Sequence, residues 1–353
     1  MKNFDIGALR HAMGSLRLED ANDLVQRTLA RHGLSMPTQG VGPAASGPAF
    51  PSPFAAPGPV AGTDPVPPGA SFAADRFSCA AGSRDYLTYV PASASQGPRG
   101  LIVMLHGCTQ THADFARGTG MNALAEEHRL IVVYPQQSRG DNAQSCWNWF
   151  SVGDQRRGRG EPEILAQMAL AVADRHAVPR DRMFVAGLSA GAAMAVILGQ
   201  THPDVFAAVG AHSGLPYGSA KDVPSAFAAM GGTGASDALR RPDAKPTPTI
   251  VFHGSADQTV VPRNGDRIAT DAVAAGPDQT VIDHRTGKTG NRRYRQDVTA
   301  TPDGRILAEH WQIDGLGHAW SGGHQGGTYT DPNGPNASAE MVRFFLDQPV
   351  ANG

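Results

Sequence analysis

From residue 71 onward, the chain alternates between two kinds of apolar segment. Short continuous runs such as Leu101-Ile102-Val103-Met104-Leu105 and Leu130-Ile131-Val132-Val133-Tyr134 suit strands buried on both faces, since one-sided burial would interleave polar residues. On this basis strands are predicted over 86–90, 101–106, 130–134, 183–188, 207–212, 249–253 and 310–313. Helical patterns fall between and after them, over 113–128, 161–177, 190–202, 265–275 and 337–347. Strands and helices in alternation predict an α/β domain whose mostly parallel sheet carries helices on both faces. In such sheets reactive groups gather at the carboxyl ends of the strands.

The N-terminal part reads differently. Leu9, Met13, Leu16 and Leu18, then Leu24, Val25 and Leu29, recur at roughly helical spacing, and Asp20 or Asn22 is suited to cap a second helix. A helical appendage over residues 1–35 is predicted, serving as a solubilising or weakly docked segment. From Met36 to Ala70 there are ten prolines and six glycines, and Asp64 is the only charged residue. That composition predicts an extended linker over 36–70, because too little apolar surface is available to offset ordering. The globular domain is then 71–353.

Composition narrows the function classes. With 41% hydrophobic residues in 353, the chain can bury a full core. Its net charge of −2 provides no basic face for nucleic acid, and Arg156-Arg157-Gly158-Arg159 reads as a solvated loop. No apolar run reaches the ~18–20 residues of a transmembrane helix. The first 34 residues lack the apolar stretch of an export signal, so a cytoplasmic location is expected, with an extracellular one as the alternative.

Chemistry enters at Gly187-Leu188-Ser189-Ala190-Gly191, which follows the apolar run from Met183 and precedes an Ala-rich helix. A strand, a sharp turn with serine between two glycines, and a helix are how α/β-hydrolases present a nucleophile. The run 101–105 ends in His106-Gly107-Cys108, where the Cys108 N–H, with that of Ala190, is a candidate oxyanion donor. The run 249–253 leads to Asp257, and the last run leads to His318, giving the order Ser…Asp…His of this fold. His318 competes with His324, His106, His212 and His253; Asp257 competes with Asp266 and Asp314. With no H-E-x-x-H or C-x-x-C pattern, neither a metal nor another cofactor is expected.

Taken together, His106-Gly107-Cys108-Thr109-Gln110, Cys146-Trp147-Asn148-Trp149-Phe150, the Ser189 turn and Gly317-His318-Ala319-Trp320-Ser321-Gly322-Gly323 resemble the catalytic domain of poly(3-hydroxybutyrate) depolymerase-type esterases. Tyr329-Thr330-Asp331-Pro332 fits as well, and the resemblance covers roughly residues 72–348. It implies an α/β-hydrolase that cleaves carboxylic esters, with Ser189 as nucleophile, His318 as general base then acid, and Asp257 as its orienting partner. The implied partner is an ester substrate, a hydroxyalkanoate oligomer or a small ester. Feruloyl or acetylxylan esterase activity, and acyl transfer on the same fold, are the alternatives. His106, Trp147, Asn148, Trp149 and Trp320 are candidate pocket residues, with Asn148 suited to bond a substrate hydroxyl or carbonyl. The missing export signal and the lack of a polymer-binding module after residue 348 argue against attack on crystalline polymer. A Cys108–Cys146 disulfide with Cys79 free is the favoured pairing, against three reduced thiols.

Overall fold

A computed structural model of the chain describes residues 66–233, 247–274 and 276–349. The predicted appendage at 1–35 and the predicted linker as far as residue 65 lie outside the described residues. The strands are β1 (Ser71–Cys79), β2 (Gly82–Val90), β3 (Gly100–Leu105), β4 (Leu130–Pro135), β5 (Met183–Leu188), β6 (Ala208–His212), β7 (Thr249–Gly254), β8 (Val281–Thr289), β9 (Arg292–Ala300) and β10 (Ile306–Ile313). They form one sheet in the order β1-β2-β4-β3-β5-β6-β7-β10-β9-β8. The six central strands, from β4 to β10, are mutually parallel, and an antiparallel hairpin flanks them on each side. This is the α/β-hydrolase fold.

Alternation along the central strands divides the core in two. Leu101, Val103 and Leu105 of β3 pack into one apolar cluster, while Ile102 and Met104 pack into the other. Helices α1 (His112–Thr119) and α2 (Met121–His128) lie on the second face; α3 (Gly160–Arg175) and α4 (Ala190–Thr201) lie on the first. Helices α5 (Val223–Met230), α6 (Arg263–Ala274) and α7 (Ala337–Leu346) complete those described, α7 on the same face as α1. Every residue of α4 except Gln200 is buried, as expected of a helix apolar all round.

Two predictions need correction. The single helix predicted over 113–128 is two helices, because Gly120 adopts φ 62° and serves both as the last cap of α1 and the first of α2. Strands β1, β8 and β9 were not predicted. They lie in the edge hairpins, where a strand needs no continuous apolar run; β8 is exposed along nearly all its length. A two-strand ladder of β11 (Trp320–Ser321) and β12 (Thr330–Asp331) closes the segment after residue 318 on itself. Among the described residues no helix is long and apolar enough to cross a membrane.

Candidate active site

Ser189 stands between β5 and α4 with φ 58° and ψ −120°, a conformation that non-glycine residues avoid. Its N–H donates to the His212 carbonyl at 2.9 Å, fixing the turn to the neighbouring strand end. The flanking glycines are required by close approach. A Cβ on Gly187 would sit 2.4 Å from the Gly191 carbonyl carbon, and one on Gly191 would sit 2.1 Å from the Leu105 oxygen. Positive φ at non-glycine residues is concentrated around this turn. Of seven described cases, Arg129 and Ala177 merely end helices, whereas Thr109, Ser145, Ser189, Ser213 and Tyr329 lie in loops that meet near the strand ends. Each such residue costs of order 1–3 kcal/mol, and such strain collects where geometry serves function.

Asp257 follows β7. Its Oδ1 accepts the Thr259 and Val260 N–H groups at 3.0 and 2.9 Å, and its Oδ2 accepts His318 Nδ1–H at 2.8 Å. Burial by itself would raise the Asp257 pKa. The His318 hydrogen bond and the charges of His318 and His253 outweigh it and hold the carboxyl below its ordinary value. His318 is 10% exposed, and with Nδ1 committed to Asp257 its Nε2 is the nitrogen left for chemistry.

The rival residues have other places. His324 packs on Gly120, where a Cβ would lie 2.3 Å from its Nε2. Asp266 accepts from Gln312 at 2.7 Å, and Asp314 is exposed. His253 Nε2–H donates to the Val260 carbonyl at 2.8 Å. His212 joins two parts of the site: its carbonyl accepts the Ser189 N–H, and its Nε2 accepts the Ser321 N–H at 3.0 Å. Burial first, then repulsion from His253 and His318, push His212 down to about 3, so its ring is neutral.

The turn after β3 is tied almost peptide by peptide. The His106 carbonyl accepts Trp147 Nε1–H at 3.1 Å, and the Gly107 N–H donates to Gln110 Oε1 at 2.9 Å. His106 Nδ1–H donates to the Gly107 carbonyl at 2.8 Å, while its Nε2 accepts the Gln137 N–H at 3.1 Å. Burial pushes His106 down to about 4, and this neutral tautomer follows. The Thr109 N–H donates to the Gln144 carbonyl at 2.8 Å. Among the described residues the Cys108 N–H has no protein acceptor. The turn also packs against Ser189: a Cβ on Gly107 would lie 3.7 Å from the Ser189 Cβ. A disulfide joins Cys108 to Cys146, and Cys79 is free.

Most of the expected pocket residues are buried or engaged by partners within the protein. His106, Trp147 and Trp320 are fully buried with their ring N–H groups used inside the protein, Trp320 donating to Ser338 Oγ at 3.1 Å. Trp149 is also buried, edge-on to Phe150. The Asn148 side chain donates to Glu161 at 2.9 Å and accepts from Asn142 at 2.9 Å, so it is already engaged. Sequence reasoning missed Glu161. This buried carboxylate receives the Asn148 N–H at 2.7 Å, Arg84 at 3.1 Å and the Gln137 amide. Gln137 in turn holds the Cys146 carbonyl at 3.0 Å. Burial, then the charge of Asp154, raise Glu161 to about 7 against the pull of Arg84.

A family model described as esterase PHB depolymerase matches residues 84–295. The chain belongs to that family. It is 36% identical over 265 residues to a poly(3-hydroxyalkanoate) depolymerase C of Paucimonas lemoignei, covering 71% of this chain and 61% of the relative. A poly(3-hydroxybutyrate) depolymerase of Ralstonia pickettii is 28% identical over 291 residues, covering 75% and 58%. The chain thus spans about three fifths of the length of these curated relatives. An acetyl xylan esterase from Aspergillus awamori shares the fold, with a TM-score of 0.55 at 20% identity over 74% of this chain and 94% of that one.

Proposed function

We propose that the chain is a serine hydrolase of carboxylic esters, acting on short 3-hydroxyacyl esters or oligomers of the polyhydroxyalkanoate type. The observation that carries this is the 2.8 Å bond from His318 to Asp257, in a site whose strained serine turn shares His212 with the His318 loop. In this reading Ser189 Oγ attacks the ester carbonyl while His318 Nε2 takes its proton. The same proton then passes to the departing alcohol, leaving an acyl-enzyme. Water, activated by His318, releases the acid and restores Ser189. Asp257 holds the imidazole tautomer and stabilises the imidazolium. The Cys108 and Ala190 N–H groups receive the developing oxyanion; the first lacks a protein acceptor, and the second heads a helix, where N–H groups have no intrahelical partner.

The hydroxyacyl preference rests on the family and on the names of the two curated relatives. Ser189→Ala and Asp257→Asn should each lower kcat on p-nitrophenyl butyrate by about 10⁴-fold, the latter by favouring the wrong tautomer. For substrate class the test is kcat/KM on soluble 3-hydroxybutyrate oligomers against methyl ferulate and acetylated xylan. A tenfold preference for either of the latter would overturn the hydroxyacyl assignment and leave the serine mechanism in place.

A further inference from the structure

Tyr329 is not one of the groups in the mechanism above, yet it touches two of the loops that carry them. Its carbonyl accepts the Trp320 N–H at 2.7 Å, two residues beyond His318. Its hydroxyl lies 3.1 Å from Thr109 Oγ1, in the turn that holds Cys108. The direction of that second bond can be deduced. Thr109 Oγ1 donates its one hydrogen to the Cys108 carbonyl at 2.6 Å, so towards Tyr329 it is the acceptor and the phenol is the donor.

Both residues are strained, Thr109 at φ 65° and Tyr329 at φ 52°. A threonine, branched at Cβ, is among the side chains least suited to that region. Such conformations persist only where surrounding bonds over-determine them. Those bonds are present on both loops. Next to Tyr329, the Thr328 carbonyl and N–H are held by Gln110 Nε2 and Asp114 Oδ1, each at 3.0 Å. On the other side Thr109 N–H is held by Gln144.

We infer that Tyr329 is a positioning residue of the reaction: through Thr109 it fixes the Cys108 carbonyl, across the Cα from the N–H, and so restrains the Cys108 backbone rotation that aims the free N–H at the oxyanion. The inference rests on the serine-esterase reading. A donor held a few tenths of an ångström or several degrees off line stabilises the transition state less while binding the neutral ester almost as well. The effect therefore belongs in kcat, not in KM.

The test is steady-state hydrolysis of p-nitrophenyl butyrate by the full chain and by Tyr329→Phe, Thr109→Val and Thr109→Ser. Removing a whole oxyanion donor costs about 10²–10³ in kcat, so misaiming one is expected to cost roughly tenfold. Tyr329→Phe and Thr109→Val should each lose about that much kcat, with KM changed less than about twofold. Thr109→Ser, which keeps the hydroxyl, should recover most of it. Butylboronic acid, which forms a tetrahedral adduct with the serine, should bind more weakly to the first two variants by the factor lost in kcat/KM. If Tyr329→Phe fails to fold, the Thr109→Val and Thr109→Ser pair decides alone. An active wild type matched in kcat by the variants, or a loss confined to KM, overturns this inference and spares the esterase reading. A wild type without ester turnover overturns both.

Discussion

Reducing the Cys108–Cys146 disulfide is expected to destabilise the chain by about 4 kcal/mol. The bond spans a sequence separation of 38 residues. On the chain-entropy view, closing a loop of that size removes about 13 cal/mol/K from the unfolded ensemble, which gives about 4 kcal/mol at 25 °C. The loop contains β4, α1 and α2, so its release frees a large part of the sheet's surroundings to expand on unfolding. Near the turn itself the hydrogen bonds of Gly107, Thr109 and Gln110 remain, and the folded state should keep its shape. Equilibrium urea unfolding with and without a phosphine reductant measures the difference, and a Cys108→Ser/Cys146→Ser chain should match the reduced wild type. Cys79→Ser, which removes only the free thiol, should leave the oxidised stability within ~0.5 kcal/mol. A difference below about 1 kcal/mol between oxidised and reduced protein would refute the reasoning. So would alkylation of all three cysteines in native, unreduced protein.

Other outcomes follow from buried charge and buried imidazole. Glu161→Ala leaves the Arg84 guanidinium with only its half-exposed partner Asp141 and strips the Asn148 and Gln137 donors of their acceptor, and should cost about 3 kcal/mol by urea unfolding; a loss under ~1 kcal/mol would contradict the network described. His106 and His212, held down to about 4 and about 3, stay neutral while the unfolded chain binds protons near 6.5. The unfolded state therefore binds more protons below pH 6.5, so their contribution is complete above that pH and falls by about 1.4 kcal/mol per unit for each on acidification. Glu161, raised to about 7, works in the opposite sense between about 4.5 and 7 because there the folded state binds the extra proton. Glu161→Gln should thus lose stability more steeply than wild type between pH 6.5 and 5, as measured by denaturant midpoints. Parallel curves would refute that assignment.

The site was legible where local sequence dictates local geometry. Gly187 and Gly191 announce a backbone approach that no Cβ allows, and the continuous apolar runs of the central strands place the residues that follow them at one edge. Strands β1, β8 and β9 were not legible by that signal; β8, for one, is charged and exposed. Gly290-Asn291 between β8 and β9 is a two-residue hairpin signal that could have found those two strands. The aromatic residues misled for a different reason. Trp147 and Trp320 are large enough to wall a pocket, but burial is decided by long-range packing, and each N–H finds an acceptor in the interior. Glu161 was hidden because its partners Arg84, Gln137 and Asn148 come from three separate segments. Its one local hint is a carboxylate in the first turn of a helix.

The most direct test of the central claim is the location of the adduct left by a p-nitrophenyl alkylphosphonate. Attack by the nucleophile forms a P–O bond and expels p-nitrophenolate, and the adduct resists hydrolysis, so release and labelling can be counted against loss of ester turnover. The account predicts one phosphonyl group per chain, on the peptide carrying Ser189, with turnover lost in proportion and no labelling of Ser189→Ala. An adduct on another residue, or full ester turnover in a chain already phosphonylated at Ser189, would contradict it.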